Sequence, residues 1–154
     1  MPLERDNAYT EDKQMKTQRT ADAGKPDFTG DYVLNRQAST LSPGGADAIQ
    51  SGKVHINHLE PNFQYRVSYM VHDQPLSFQF EMVTDGRESQ IIEDEDPTQI
   101  SLRWDGDALL FVQRNQGTIT FRHELLEAGR VLRVTEQNRG MGRDQDNTFV
   151  FERE

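Results

Sequence analysis

The sequence predicts an all-β fold: a ten-stranded antiparallel up-and-down β-barrel with a short cap segment and a flexible N-terminal arm. Three observations carry this. From Phe28 onward apolar residues recur at every second position, the period of a strand with one packed and one wet face. Turn-forming residues interrupt that alternation at roughly ten-residue intervals, too closely for the crossovers of a parallel sheet. Residues 1–26 show neither feature and hold only Met1, Leu3, Tyr9 and Met15 as large apolar side chains. That surface is too small to offset the entropy of ordering, which predicts a mobile arm over 1–26 and a barrel over 27–154.

The first strand opens at Phe28, with Phe28, Gly30, Tyr32 and Leu34 on one side and Thr29, Asp31 and Val33 on the other. A long link over Arg36–Ser51 follows. It carries Pro43-Gly44-Gly45 and then Ala46–Gln50, enough for about one helical turn across a barrel end. Val54 and Ile56 mark the second strand, and Phe63, Tyr65, Val67, Tyr69 and Val71 the third. Pro75 starts a fourth with Leu76, Phe78, Phe80 and Met82 on its apolar side. Shorter strands are predicted at Glu88–Glu93, Gln99–Trp104, Ala108–Gln113, Thr118–Leu125, Val131–Glu136 and Thr148–Arg153. Asp73-Gln74-Pro75, Asp85-Gly86, Asp96-Pro97, Asp105-Gly106, Asn115-Gln116-Gly117 and Ala128-Gly129 supply the turns, and Asn138–Asp146 reads as a flexible hairpin loop. A meander this long splits into a sandwich or closes to remove its edges; the steady alternation, without a Greek key's long crossovers, favours closure.

The chain has 154 residues, one domain's worth, and a net charge of −9. The arm's acids and bases balance, so the whole of that charge falls on residues 27–154. An acidic surface argues against a nucleic-acid partner or an anionic-membrane patch. No apolar run is long enough to span a bilayer as a helix. Met1 leads into a charged stretch rather than an apolar one, and the expected location is cytoplasmic. Absence of Cys removes disulfides, thiolate nucleophiles and Cys-ligated zinc.

Several segments resemble a known family. Phe28-Thr29-Gly30-Asp31-Tyr32-Val33-Leu34 is similar to the F-x-G-x-W-x-L opening strand of the calycins, with Tyr32 at the Trp position. Asp107–Arg114 resembles the seventh strand of the intracellular fatty-acid-binding proteins and related bacterial lipocalin-like domains, and Thr148–Arg153 resembles their last strand. The resemblance covers residues 28–154 and implies a lumen that binds an apolar ligand. It also shows departures. In that family an Arg-x-Tyr on the last strand and an Arg two strands earlier hold a ligand carboxylate. Here the last-strand pair is Phe149 and Phe151, and the earlier position falls on Arg122 or His123. The helix-turn-helix lid is reduced to one turn at most. The expected ligand is therefore a small hydrophobic molecule, lipid-like or aromatic, not clamped as a carboxylate, with no cofactor and no metal.

The expected ligand-binding residues are Tyr65, Tyr69, Phe78, Phe80, Phe111, Gln113, Phe121, His123, Phe149 and Phe151. They are aromatic and polar members of the apolar faces, with Tyr9 and Met15 of the arm as a lid. The competing reading is that these rings simply fill the interior, leaving a structural or protein-interaction module. Trp104, just before a turn, is expected to close one barrel end. His55, His58 and His72 read as exposed strand histidines. His123 stands among apolar neighbours and supports an alternative: a small-molecule lyase or isomerase using His123 and a tyrosine, with Glu124 as a further acid–base candidate. Glu93-Asp94-Glu95-Asp96 has no calcium-loop spacing and reads as a solvated loop that guards a short strand against pairing with another chain.

Overall fold

The computed structural model describes residues 24–93, 96–140 and 144–154. The expectations for residues 1–23, Tyr9 and Met15 included, lie outside the described residues, as do Asp94 and Glu95.

Ten strands follow in chain order: β1 (Gly30–Leu34), β2 (Ile49–Leu59), β3 (Asn62–Val71), β4 (Gln74–Val83), β5 (Ser89–Glu93), β6 (Asp96–Asp105), β7 (Ala108–Arg114), β8 (Thr118–Leu126), β9 (Val131–Arg139) and β10 (Gln145–Arg153). One short helix, α1 (Pro43–Ala48), lies between β1 and β2. The sheet order is β4-β3-β2-β1-β10-β9-β8-β7-β6-β5, antiparallel throughout. Because β1 pairs with both β2 and β10, the end of the chain returns to its start and the meander curls into a barrel. Among the described residues β4 and β5 form no ladder with each other. Among the described residues a backbone bridge crosses the seam at one level, where Asp85 pairs with Arg103 and the Gly86 N–H donates to the Leu102 carbonyl at 2.9 Å. No helix among the described residues is long and apolar enough to cross a membrane.

Three expectations shift. Asp96-Pro97 begins β6, opposite Glu93 and Ile92, instead of forming the turn. β9 runs to Arg139 and β10 starts at Gln145, so the ladder extends into what reads as loop, with the Arg139 guanidinium paired to the Asp146 carboxylate at 2.6 Å beside it. Residues 141–143 lie outside the described ones. The helical turn sits at Pro43–Ala48 rather than Ala46–Gln50, with Pro43 in the first turn, where a missing N–H is harmless. Pro75 is tolerated within β4 because β4 is an edge strand.

The barrel has one closed end, at the feet of β1, β2, β4 and β6. Tyr32 is fully buried there; its hydroxyl donates to the Phe28 carbonyl at 2.7 Å and accepts from Arg153 at 2.9 Å. The Arg153 guanidinium lies 4.9 Å from the Tyr32 ring centroid and also donates to the Gly129 and Thr29 carbonyls, tying β10 to the start of β1. A side chain at position 30 would collide with that guanidinium, which explains the glycine there. Burial pushes the Tyr32 hydroxyl up to about 12, so it stays a neutral donor.

A second knot lies beside it. The Glu60 carboxylate accepts from His58 Nε2 at 2.9 Å, Thr84 Oγ1 at 2.9 Å and Trp104 Nε1 at 3.0 Å. His58 Nδ1 accepts the Phe28 N–H at 3.1 Å, which places the imidazole proton on Nε2. His58 is buried, contrary to the surface expectation: it shares the parity of Val54 and Ile56 on β2 and closes the core beneath Phe28, Phe63 and Trp104. His55 and His72 are not buried. Trp104 closes this end as expected, with Lys25 Nζ 5.2 Å from its ring centroid.

Removing the Glu60 carboxylate leaves three donors without their acceptor. Glu60→Ala should lose about 3 kcal/mol of stability, measured by urea unfolding followed through Trp104, the single tryptophan. A loss below about 0.5 kcal/mol, the range of an ordinary surface substitution, would show that the knot is not needed.

Candidate functional site

Above the closed end the interior divides into a packed half and an open half. The rings of Phe63, Tyr65, Phe80 and Phe111 stack across the lumen: Phe80 and Phe111 are 4.1 Å apart and 7° from parallel, and Tyr65 and Phe80 are 5.2 Å apart. This stack reaches from β3 across the edge strand β4 to β7, so it also spans the seam. Filling of the interior by aromatic rings therefore describes the lower half well.

The upper half holds a cavity of about 250 Å³. Its wall carries Tyr65, Tyr69, Phe78, Phe80, Phe111, Phe121, His123 and Phe149, eight of the ten residues singled out from the sequence. The other two lie elsewhere. Phe151 is fully buried one step closer to the closed end, opposite Leu132 and Leu34, while Gln113 faces inward between Ile100 and Ile119, away from the cavity wall. Ile49, Val67, Val71, Leu76, Val134 and Glu136 complete the wall. All but Ile49 share the parity of their buried neighbours: Val134 and Glu136 follow Leu132 at every second position on β9, so the alternation already carried the signal, whereas Ile49 lies beyond a register irregularity between Ile49 and Ser51.

The mouth lies where β2 begins, β3 ends and β4 begins, rimmed by Ile49, Val71 and Leu76. Leu76 is 58 % and Phe78 38 % exposed although both belong to the inward side of β4, because β5 does not pair alongside them. The helix α1 buries no residue and leaves this mouth uncovered. Gly52 makes room for one wall residue: a Cβ there would stand 2.8 Å from the Tyr69 ring.

Register decides between Arg122 and His123. His123 pairs with Leu109 and Val134 and points inward; Arg122 points outward and holds the Asp105 carboxylate at 2.6 Å. Glu124 also lies on the outer face, bound by Arg133 at 2.9 Å and Arg122 at 3.5 Å, and so drops out as an acid or base for the lumen. His123 is 1 % exposed, with its ring 5.1 Å from that of Tyr65. Its Nδ1–H donates to the Leu109 carbonyl at 3.2 Å, leaving the Nε2 lone pair without a hydrogen-bond partner among the described residues. Burial lowers its pKa to about 4, so the ring is neutral at pH 7. Burial raises both tyrosines, Tyr65 well above its usual value, and the negative charge of Glu136 adds to the effect on Tyr69.

Glu136 is the one charged residue among the cavity-lining residues; neither Lys nor Arg is present there. Its carboxylate accepts from Asn138 Nδ2 at 2.9 Å and Asn147 Nδ2 at 3.2 Å. Among the described residues no group of three His, Asp or Glu side chains comes together in a way that would hold a metal ion.

The curled, ten-stranded antiparallel architecture is shared with several solved structures. Among solved structures the chain is similar to human cRBP IV (TM-score 0.63, 14 % identity, covering 84 % of this chain and 99 % of that one). It is also similar to the REP1-NXSQ fatty acid transporter (TM-score 0.62, 12 % identity, 83 % and 96 % covered). Secretory abundant heat soluble protein 4 from Ramazzottius varieornatus aligns over comparable lengths (TM-score 0.56, 14 % identity, 85 % and 96 % covered). At such identities the likeness is one of fold. No protein-family model matches the chain, and no curated protein matches it closely.

The depressed His123 pKa has a stability consequence. Between its usual 6.5 and about 4 the unfolded chain takes up a proton that the folded protein refuses, so stability falls as pH drops through that window and is unaffected above it. By pH 4.5 the loss assigned to this residue is roughly 2–3 kcal/mol. Urea unfolding at pH 7 and 4.5 should show wild type losing that much more than His123→Leu. Equal losses would mean that the imidazole is protonated inside the fold.

Proposed function

We propose that this protein binds and carries one small apolar ligand in the upper lumen without transforming it. The observation that carries this reading is an unfilled, ring-walled cavity opening through a mouth rimmed by apolar side chains. The fold similarity to proteins described as a fatty acid transporter and cRBP IV supports it. At about 250 Å³ the cavity lies just under the ~300–1,000 Å³ usual for pockets enclosing drug-sized molecules. A compact ligand, one ring system or a short chain, suits it better than a long acyl chain. Burial of its apolar surface, at ~25 cal/mol per Å², would supply the affinity. The ten residues singled out from the sequence, less Gln113 and Phe151, are the proposed contacts. With Arg122 turned outward and Phe149 and Phe151 on the last strand, the carboxylate clamp of the fatty-acid-binding proteins has no counterpart here.

The pairing of His123 with Tyr65 on one cavity wall favours a second reading, a lyase or isomerase. Its difficulty is tuning. A general base works best with a pKa near the working pH, whereas His123 sits near 4 and Tyr65 is pushed upward. Both groups suit hydrogen bonding to a ligand better than moving its protons.

Native mass spectrometry of gently purified protein, with organic extraction of what it carries, tests the proposal together with titration by an environment-sensitive apolar dye. A one-to-one adduct or saturable dye binding is expected; neither being seen would overturn it. Val71→Trp, placed at the mouth, should weaken dye binding at least tenfold while leaving the urea midpoint nearly unchanged.

A further inference from the structure

We infer that the ligand carries a protonated amine, held by the Glu136 carboxylate; this rests on the carrier reading and narrows its ligand class. The charge distribution of the cavity leads there. Every residue facing it is apolar, aromatic or neutral except Glu136, and no cation lines the wall to neutralise that carboxylate. Asn138 and Asn147 donate to it and fix its orientation, one to each oxygen, but add no charge. A carboxylate accepts about four hydrogen bonds and two are supplied, which leaves acceptor capacity for a ligand. Tyr69 feels the same charge, which places its hydroxyl within electrostatic reach of Glu136.

The remaining polar atoms agree. His123 presents an Nε2 lone pair in its neutral form, so besides the tyrosine hydroxyls the lumen offers two groups that only accept there, one of them anionic. A ligand carboxylate would meet a like charge at Glu136 and an acceptor at His123, with only tyrosine hydroxyls as donors. An ammonium group gains a charge-assisted hydrogen bond, roughly twice as strong as a neutral one. Its apolar body rests against Phe78, Phe111 and Phe149, whose faces also attract a cation.

The test uses the full chain and three probes of matched length: hexylamine, hexanol and hexanoate, each competing with the dye at pH 7. Hexylamine is expected to bind at least tenfold tighter than hexanol, and hexanoate weakest. Glu136→Gln keeps the side-chain shape and an acceptor for one of the two asparagines; it should erase the amine preference while leaving hexanol affinity within about twofold. The conservative Glu136→Asp should keep a preference for hexylamine. Hexanol binding with no amine preference, or a preference untouched in Glu136→Gln, overturns this inference and leaves the carrier reading standing. Failure of all three probes and of the dye to bind overturns both.

Discussion

The structure depends on how a curled sheet with an open seam is held shut. Hydrogen bonding between strands runs without interruption from β4 round to β5 and then stops, because those two strands do not pair. The Glu60 carboxylate does at the foot of the barrel what a ladder does elsewhere. It gathers Thr84, just past β4, Trp104 of β6 and His58 of β2, and through His58 the backbone of Phe28. Groups from both sides of the seam thus converge on one partly buried anion whose charge is spread over strong donors. Arg153 does the same for the other junction, where the two ends of the meander meet.

This division explains why the two halves of the interior differ. Near the closed end, polar ties surround fully buried rings, among them Phe28, Tyr32 and Phe63. Further up, the seam is crossed by aromatic contacts: Phe80 stacks on Phe111, and Phe78 tilts against the same ring at 6.0 Å. Above that stack the inward side chains of β4 face an opening rather than a neighbouring strand, so Leu76 and Phe78 remain partly exposed. A cavity survives there because the wall that would have filled it is missing, and α1 is too short to replace it. One design therefore makes the fold stable at one end and leaves it accessible at the other.

The candidate site was legible to the extent that it follows strand parity. Tyr65, Tyr69, Phe78, Phe80, Phe111, Phe121, His123 and Phe149 lie on apolar faces, and each reaches the cavity wall. Parity says which face a side chain takes but not how high along the barrel it stands. Phe151 and Gln113 accordingly point inward at levels where the cavity is not. Glu136 was overlooked for a related reason. A carboxylate in an acidic, strand-rich chain reads as solvent-facing, yet it shares the parity of Leu132 and Val134. His58 differs similarly, since its contact with the Phe28 amide forms only when two segments thirty residues apart meet.

By itself the sequence determined the all-β class, the number and order of the strands and most of the inward faces. All of these rest on local quantities: period, turn chemistry and the residue types present. Tertiary structure alone decided the seam between β4 and β5, the half-filled lumen and the place of Glu136 as the one charged residue on the cavity wall. Those depend on strand register and on the height at which side chains from distant strands meet. A one-residue slip in pairing exchanges inside for outside, so such features exist only once the whole sheet has closed.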